Sequence, residues 1–235
     1  MGVDTDRVDS LAVDGKRSIK SFVLRGSRLA SYQKEALELY TDRFVIPFEE
    51  KVLDFNAIYG NDNPVIIEIG FGMGHTTERI ATQMPLSNFL GIEVFLNGFS
   101  KLLSAAGLKN IQNLRLMRYD AVEVLEKMIG DGTIAGFHIF FPDPWPKKKH
   151  HKRRLVQTPF AELLAQKLAP NGYIYCVTDW EEYAYQMLDV FSQIDSLHNP
   201  HNGFSPPRSW RPTTGFEEKG MRKNHRISEV WVEKK

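Results

Sequence analysis

At 235 residues, with 42% hydrophobic and 25% charged side chains, the chain has ordinary globular composition, which excludes wholesale disorder, collagen and coiled coil. A single cysteine, Cys176, excludes a disulfide framework and any multi-cysteine zinc site, and no apolar run approaches the roughly 20 residues a membrane helix needs. The net charge of +1 hides an asymmetry: Lys147, Lys148, Lys149, Lys152, Arg153 and Arg154 crowd six cations into one short run and leave the remainder net acidic.

The opening MGVDTDRVDS holds three aspartates and no apolar stretch, so no secretory signal is expected and a reducing, cytoplasmic location is. Residues 1–20 alternate charges without an apolar period and read as a loose arm ahead of one domain over 21–235. Leu29, Tyr32, Ala36, Leu37, Tyr40 and Phe44 recur at helical spacing and predict a helix. Short apolar runs at 65–69, 89–93, 114–118, 137–141 and 173–178 then alternate with helical patterns at about 75–84, 95–106, 120–129, 155–168 and 181–194. A last β-rich run covers 229–233. Such alternation predicts an α/β fold: a mainly parallel twisted sheet with helices on both faces. Residues 196–226, rich in Pro, Gly, Asn, Ser and Arg, read as a long substrate-side loop or insertion.

Ligands of open α/β sheets sit beyond the carboxyl ends of the strands. The first such end reads Glu68-Ile-Gly70-Phe-Gly72-Met-Gly74, where glycines allow a tight turn and close approach of a ligand, and the helix start that follows favours anionic groups. The second ends in Glu93, able to accept both hydroxyls of a ribose. The third ends in Asp120, placed to accept from an exocyclic amine such as that of adenine. A dinucleotide fingerprint counted from Gly70 would put its third glycine where His75 stands. The spacing E-x-G-x-G-x-G is instead similar to the first motif of Rossmann-like S-adenosylmethionine-dependent methyltransferases. Their ligand has no pyrophosphate, and Glu68, Gly70, Glu93 and Asp120 could clamp its adenosine and amino-acid tail.

The fourth strand runs into Pro142-Asp143-Pro144-Trp145-Pro146, where three prolines hold one carboxylate and one indole rigidly. The basic run of residues 147–154 follows at once and suits phosphates. No metal site is expected, since adjacent His150 and His151 diverge and no carboxylate stands at ligand spacing beside them.

Glu68-to-Gly74, PDPWP, the K-x-x-x-x-K-R-R run and Arg211-Pro-Thr-Thr-Gly-Phe-Glu217 together resemble the TrmB family of tRNA (guanine-N7-)-methyltransferases, from about residue 18 to the C-terminus. The resemblance implies a Rossmann-like class I S-adenosylmethionine-dependent fold and methyl transfer to N7 of guanine 46 in the tRNA variable loop. It assigns S-adenosylmethionine to Glu68, Glu93, Asp120 and Asp143. It assigns tRNA or guanine contacts to Lys147, Asp179, Thr214, Gly215, Phe216 and Glu217, and RNA backbone contacts to Lys149, His150, His151, Lys152, Arg153 and Arg154. Lys149 stands where the family more often has arginine, and Arg25-Gly-Ser-Arg28 matches the family's basic N-terminal pattern only roughly, so no role is carried onto it.

Guanine N7 carries a lone pair and no proton, so direct attack on a sulfonium methyl needs no general base. Alignment and negative potential near the developing purine cation are what a protein can add. Asp143 is the expected catalytic residue in that sense. Asp179 and Glu217 are expected to read the donor edge of the guanine, the alternative for either being a helix cap, and Phe216 to stack on it. Trp145 either stacks on the base or packs its own loop. Rival readings are a methyltransferase of proteins or small molecules, a silent RNA-binding module, and nicotinamide-dependent oxidoreduction. Monomer and homodimer both stay open.

Overall fold

The structure, a computed structural model, describes residues 21–22, 28–213, 217 and 226–235, so the expected arm over 1–20 lies outside the described residues. The described residues fall into two compact units, one over 28–129 and one over 130–235 with residues 21–22.

The first unit begins with α1 (Ser31–Phe44), whose N-terminal Ala30 N–H donates to Gln33 Oε1 at 2.9 Å. A short α2 (Phe55–Tyr59), capped by Asp54 and not legible as a period, precedes β1 (Val65–Ile69). There follow α3 (His75–Gln83), β2 (Asn88–Ile92), α4 (Leu96–Leu108), β3 (Leu114–Met117) and α5 (Ala121–Met128). The strands pair in parallel with β2 in the middle: Ile67 lies opposite Leu90, and Leu90 opposite Arg115. Every residue of β1 and β2 is buried, as expected of parallel strands covered on both faces, with Glu68 and Asn88 the polar exceptions in otherwise apolar runs. The chain leaving α1 makes one isolated bridge to β3, where Ile46 N–H donates to Leu116 O at 2.9 Å and occupies part of that strand's outer edge.

The second unit contains β4 (Ile134–Phe140), a 3₁₀ segment Lys148–Arg153, α6 (Thr158–Lys167), β5 (Leu168–Thr178), α7 (Glu181–Ser192), β6 (Leu197–His198) and β7 (Ser228–Lys234). β4 and β5 are parallel, and β7 runs antiparallel to both β5 and β6. β5 starts five residues before the expected 173, because an irregularity lets Ile134 pair with Leu168 and Gly136 with Tyr173. The stretch expected to be loop over 196–226 opens with β6, two residues of edge strand on the end of β7. Cys176 is a buried core thiol of β5, and burial pushes its ionisation up. Among the described residues no helix is long and apolar enough to cross a membrane.

Candidate functional site

In the first unit the chain leaves β1 with Gly70, Gly72 and Gly74 at φ of 75°, 56° and 75°, a region costly for any residue with a Cβ. A Cβ at Gly70 or Gly72 would meet no atom within 4 Å, so these glycines line open space. Gly74 is different, because a Cβ there would lie 2.5 Å from Leu102 Cβ of α4. Gly98, also on α4, lets the Gly72 carbonyl seat against the helix where a side chain would overlap it.

Three carboxyl groups surround this turn. Glu93 follows β2, and its Oε2 accepts from Gly72 N at 2.7 Å while Oε1 accepts from Val94 N at 2.7 Å and Phe95 N at 3.0 Å. Asp120 is buried at the start of α5, its Oδ1 accepting from Val122 N at 2.9 Å as a helix cap. Glu68 is 3% exposed, and its Oε2 and the Thr77 hydroxyl are both buried without a hydrogen-bond partner among the described residues. Burial pushes the Glu68 carboxyl up to about 8. The nearby Thr77 hydroxyl works against that rise and the Glu93 carboxylate adds to it. A buried carboxyl with an unused oxygen, beside a glycine cradle, suits a ligand that brings a cationic donor; an adenosyl amino acid is one.

In the second unit β4 stops at Phe140, one residue earlier than expected. Phe141 turns to φ 52°, its N–H donating to Val177 O at 2.7 Å. Asp143 is exposed between Pro142 and Pro144, and Trp145 has φ 45°. The Trp145 indole donates to Ser21 O at 3.2 Å, and the Arg153 guanidinium lies 3.9 Å from its ring centroid while donating to Phe22 O at 3.2 Å. The Trp145 indole thus packs against Ser21 and Arg153. Asp179 is half-buried just past β5, beside Trp180, the residue that caps α7.

The basic run is not uniform. Lys147, Lys148, Lys149 and Lys152 are exposed, and His150, His151 and Arg153 half-buried. Partial desolvation and the surrounding Lys149, Arg153, Lys147 and Lys152 push the His150 imidazole below its usual range. Arg154, grouped with the RNA backbone contacts by sequence, is buried at 3% exposure. Thr214, Gly215 and Phe216 lie outside the described residues. Glu217 is buried, with both oxygens on the Arg211 guanidinium at 2.7 and 3.0 Å. Among the described residues no cluster of His, Cys, Asp or Glu could hold a metal ion.

A family model described as "Putative methyltransferase" matches residues 62–230. A tRNA (guanine-N(7)-)-methyltransferase of Bordetella pertussis is 48% identical over 213 residues, covering 91% of this chain and 84% of the relative. One from Neisseria meningitidis serogroup C is 48% identical over 211 residues, 90% of this chain and 89% of its own. The chain belongs to the TrmB family. Two solved structures show that its TrmB fold is the Rossmann-like fold of class I methyltransferases. The 16S rRNA methyltransferase KamB has a TM-score of 0.57 at 12% identity, covering 80% of this chain and 96% of its own. A 30S ribosomal A1408 methyltransferase from an uncultured bacterium has a TM-score of 0.52 at 16% identity, covering 81% and 97%.

Two features of this TrmB chain escape a sequence reading. Gly98 gives no local signal, because its reason is a carbonyl 26 residues away. Arg211 stands in a quoted motif, yet its partners come from three places: Glu217, Glu229 of β7 at 2.7 Å and the Tyr175 hydroxyl of β5 at 3.0 Å. Tyr175 in turn donates to Glu229. Burial works to lower the Arg211 pKa, but the two carboxylates outweigh it and hold the guanidinium charged.

Proposed function

We propose that this chain is a cytoplasmic S-adenosylmethionine-dependent methyltransferase of N7 of guanine 46 in the tRNA variable loop. The observation that carries the reading is the Asp143 turn running directly into solvent-facing lysines 147–149, in a chain 48% identical to tRNA (guanine-N(7)-)-methyltransferases over 91% of its length. S-adenosylmethionine, when bound, supplies an electrophilic methyl. Gly70 and Gly72 give it a backbone surface without side chains, and Glu68 offers the unused carboxylate oxygen to its cationic end. Glu93, whose two oxygens accept from three backbone N–H groups, and Asp120, whose Oδ1 accepts from Val122 N, are the carboxylates that take the ribose hydroxyls and the adenine amine.

Guanine N7 has no proton to lose, so no residue acts as a base. Asp143 acts as the catalytic carboxylate through its charge, which opposes the cation that develops on the purine. Asp179 and Glu217 read the N1 and N2 donors of the base, with Thr214, Gly215 and Phe216 beside Glu217. Lys147, Lys149, His150, His151, Lys152 and Arg153 hold the RNA, the lysines by phosphate charge that fixes register and carries no sequence information. Incubation with labelled S-adenosylmethionine and an unmodified tRNA transcript, followed by digestion to nucleosides, tests this. N7-methylguanosine that disappears when guanine 46 is replaced is the expected result. Label in another nucleoside, or none in RNA, overturns it.

A further inference from the structure

One cation in the basic run is unlike its neighbours. Arg154 is buried while Lys147, Lys148, Lys149 and Lys152 face solvent, and every nitrogen of its guanidinium is bonded to protein. Nε donates to Pro144 O at 2.8 Å, and one terminal nitrogen donates to Gln186 Oε1. The other donates to His151 Nε2 at 3.1 Å and lies 3.4 Å from Glu182 Oε1. The plane sits 4.9 Å from the Tyr183 ring centroid, and the hydroxyl of Tyr183 accepts from Val156 N at 3.0 Å. Gln186 returns a bond to Val156 O at 3.2 Å.

Besides His151 of the 3₁₀ segment, these partners belong to two structures. Pro144 O is the carbonyl next to Asp143, and its peptide leads into Trp145 at φ 45°. Glu182, Tyr183 and Gln186 belong to α7, which begins two residues after Asp179. Because β4 and β5 are parallel neighbours, with Phe140 opposite Val177, the turns bearing Asp143 and Asp179 leave the sheet side by side. A rigid fork with donors in several directions can hold both at once, whereas an ammonium on a flexible stem cannot.

We propose that Arg154 is a positioning residue: it fixes the Asp143 turn against α7, and so sets Asp143 relative to Asp179, instead of contacting an RNA phosphate. The inference rests on the reading of those two carboxylates as substrate-facing.

The test uses the full chain and an unmodified tRNA transcript with Lys152→Gln, Arg154→Lys, Arg154→Ala and Gln186→Ala. It measures tRNA Kd over a range of salt and the single-turnover transfer rate at saturating tRNA and cofactor. Lys152→Gln, a true phosphate contact, lowers the slope of log Kd against log salt by about one. Both Arg154 variants keep the wild-type slope and lose roughly tenfold or more in saturated rate, since small misplacements are costly in transfer. Gln186→Ala, which alters no charge, moves the rate the same way with the slope intact. A fold that merely loosens would lower the melting temperature without lowering the saturated rate of the folded fraction.

A slope reduced by about one in Arg154→Ala, with wild-type rate in Arg154→Lys, overturns the proposal, because a point charge then suffices. Wild-type rates in both Arg154→Lys and Gln186→Ala overturn it as well. Should Arg154→Ala not fold, those two variants decide alone. A wild-type chain that makes no N7-methylguanosine defeats the functional reading instead, and that is seen before any variant is compared.

Discussion

The turns after β1 and β4 both carry carboxylates at the end of a parallel strand, and they reach their shapes by opposite means. After β1, the three left-handed positions are all glycine, so the backbone adopts the turn without strain. After β4, the left-handed positions are Phe141 and Trp145, each in a conformation worth about 1–3 kcal/mol of strain. They persist because neighbours over-determine them: Val177 O holds the Phe141 N–H, Arg154 holds the carbonyl before Trp145, and Ser21 and Arg153 hold the indole. One turn is written in its own residues, and the other is borrowed from its surroundings. Substitutions should therefore act through the backbone in the first unit and through distant partners in the second.

The largest expected effect lies at the extreme of the borrowed kind. Arg211→Ala strips the bridging guanidinium from Glu217 and Glu229, which are 8% and 3% exposed. Breaking this buried ion pair from its cationic side should cost about 3–5 kcal/mol, read as a fall in the urea midpoint at unchanged slope. A loss below about 1 kcal/mol would show that water replaces the guanidinium and that this region does not depend on its partners.

Next come two glycines that separate backbone from packing. Gly70→Ala and Gly74→Ala both meet φ 75°, but only Gly74 faces Leu102 Cβ at 2.5 Å. Gly70→Ala should cost about 1–2 kcal/mol, the left-handed penalty alone, and Gly74→Ala about 2–4 kcal/mol by the same denaturation. Equal losses would mean that α4 moves aside freely.

A smaller effect, and one with a sign, belongs to Glu68. Its folded pKa of about 8 lies above the ordinary carboxylate value, so the folded state binds the proton more tightly. The cost of ionising it accumulates as pH rises from about 4.5 to about 8, and stability falls across that window. Glu68→Gln should match wild type near pH 4.5 and exceed it by about 1–3 kcal/mol at pH 8, while S-adenosylmethionine affinity drops. Wild-type affinity should rise from pH 6 toward 8 as the carboxylate forms. Equal melting temperatures at pH 8 would place the charge elsewhere.

The same contrast explains what the sequence made legible. Strand and helix patterns, the glycine turn and the three strand-end acids are local, so Glu68, Glu93 and Asp120 stand at the expected ends of β1, β2 and β3. Asp120 shows that a cap and a ligand site share one pattern, since a helix start needs the same acceptor that an amine would use. What was not legible depends on contacts far along the chain. Arg153 and Arg154 are adjacent and chemically identical, yet one lies over an indole and the other is buried under α7. A six-residue 3₁₀ segment that ends at Arg153, with Arg154 as its cap, has no periodicity that distinguishes them. Nor does the motif around Glu217 show that Arg211 holds both its oxygens.

The smallest effect is the most direct probe of borrowed shape. At Trp145, Ala and Gly both remove the indole, its bond to Ser21 and the Arg153 stack, so their packing losses are alike. They differ in backbone: alanine must still adopt φ 45°, and glycine adopts it without penalty. In an ordinary extended loop glycine would be the worse choice, through its greater freedom in the unfolded chain. Here Trp145→Gly should be more stable than Trp145→Ala by about 1 kcal/mol, a difference of roughly 2–4 °C in melting temperature. The reverse order would mean that the turn relaxes to negative φ once the indole is gone. The indole contacts would then be what imposes the strained shape, and Arg154 with the flanking prolines would not suffice to keep it.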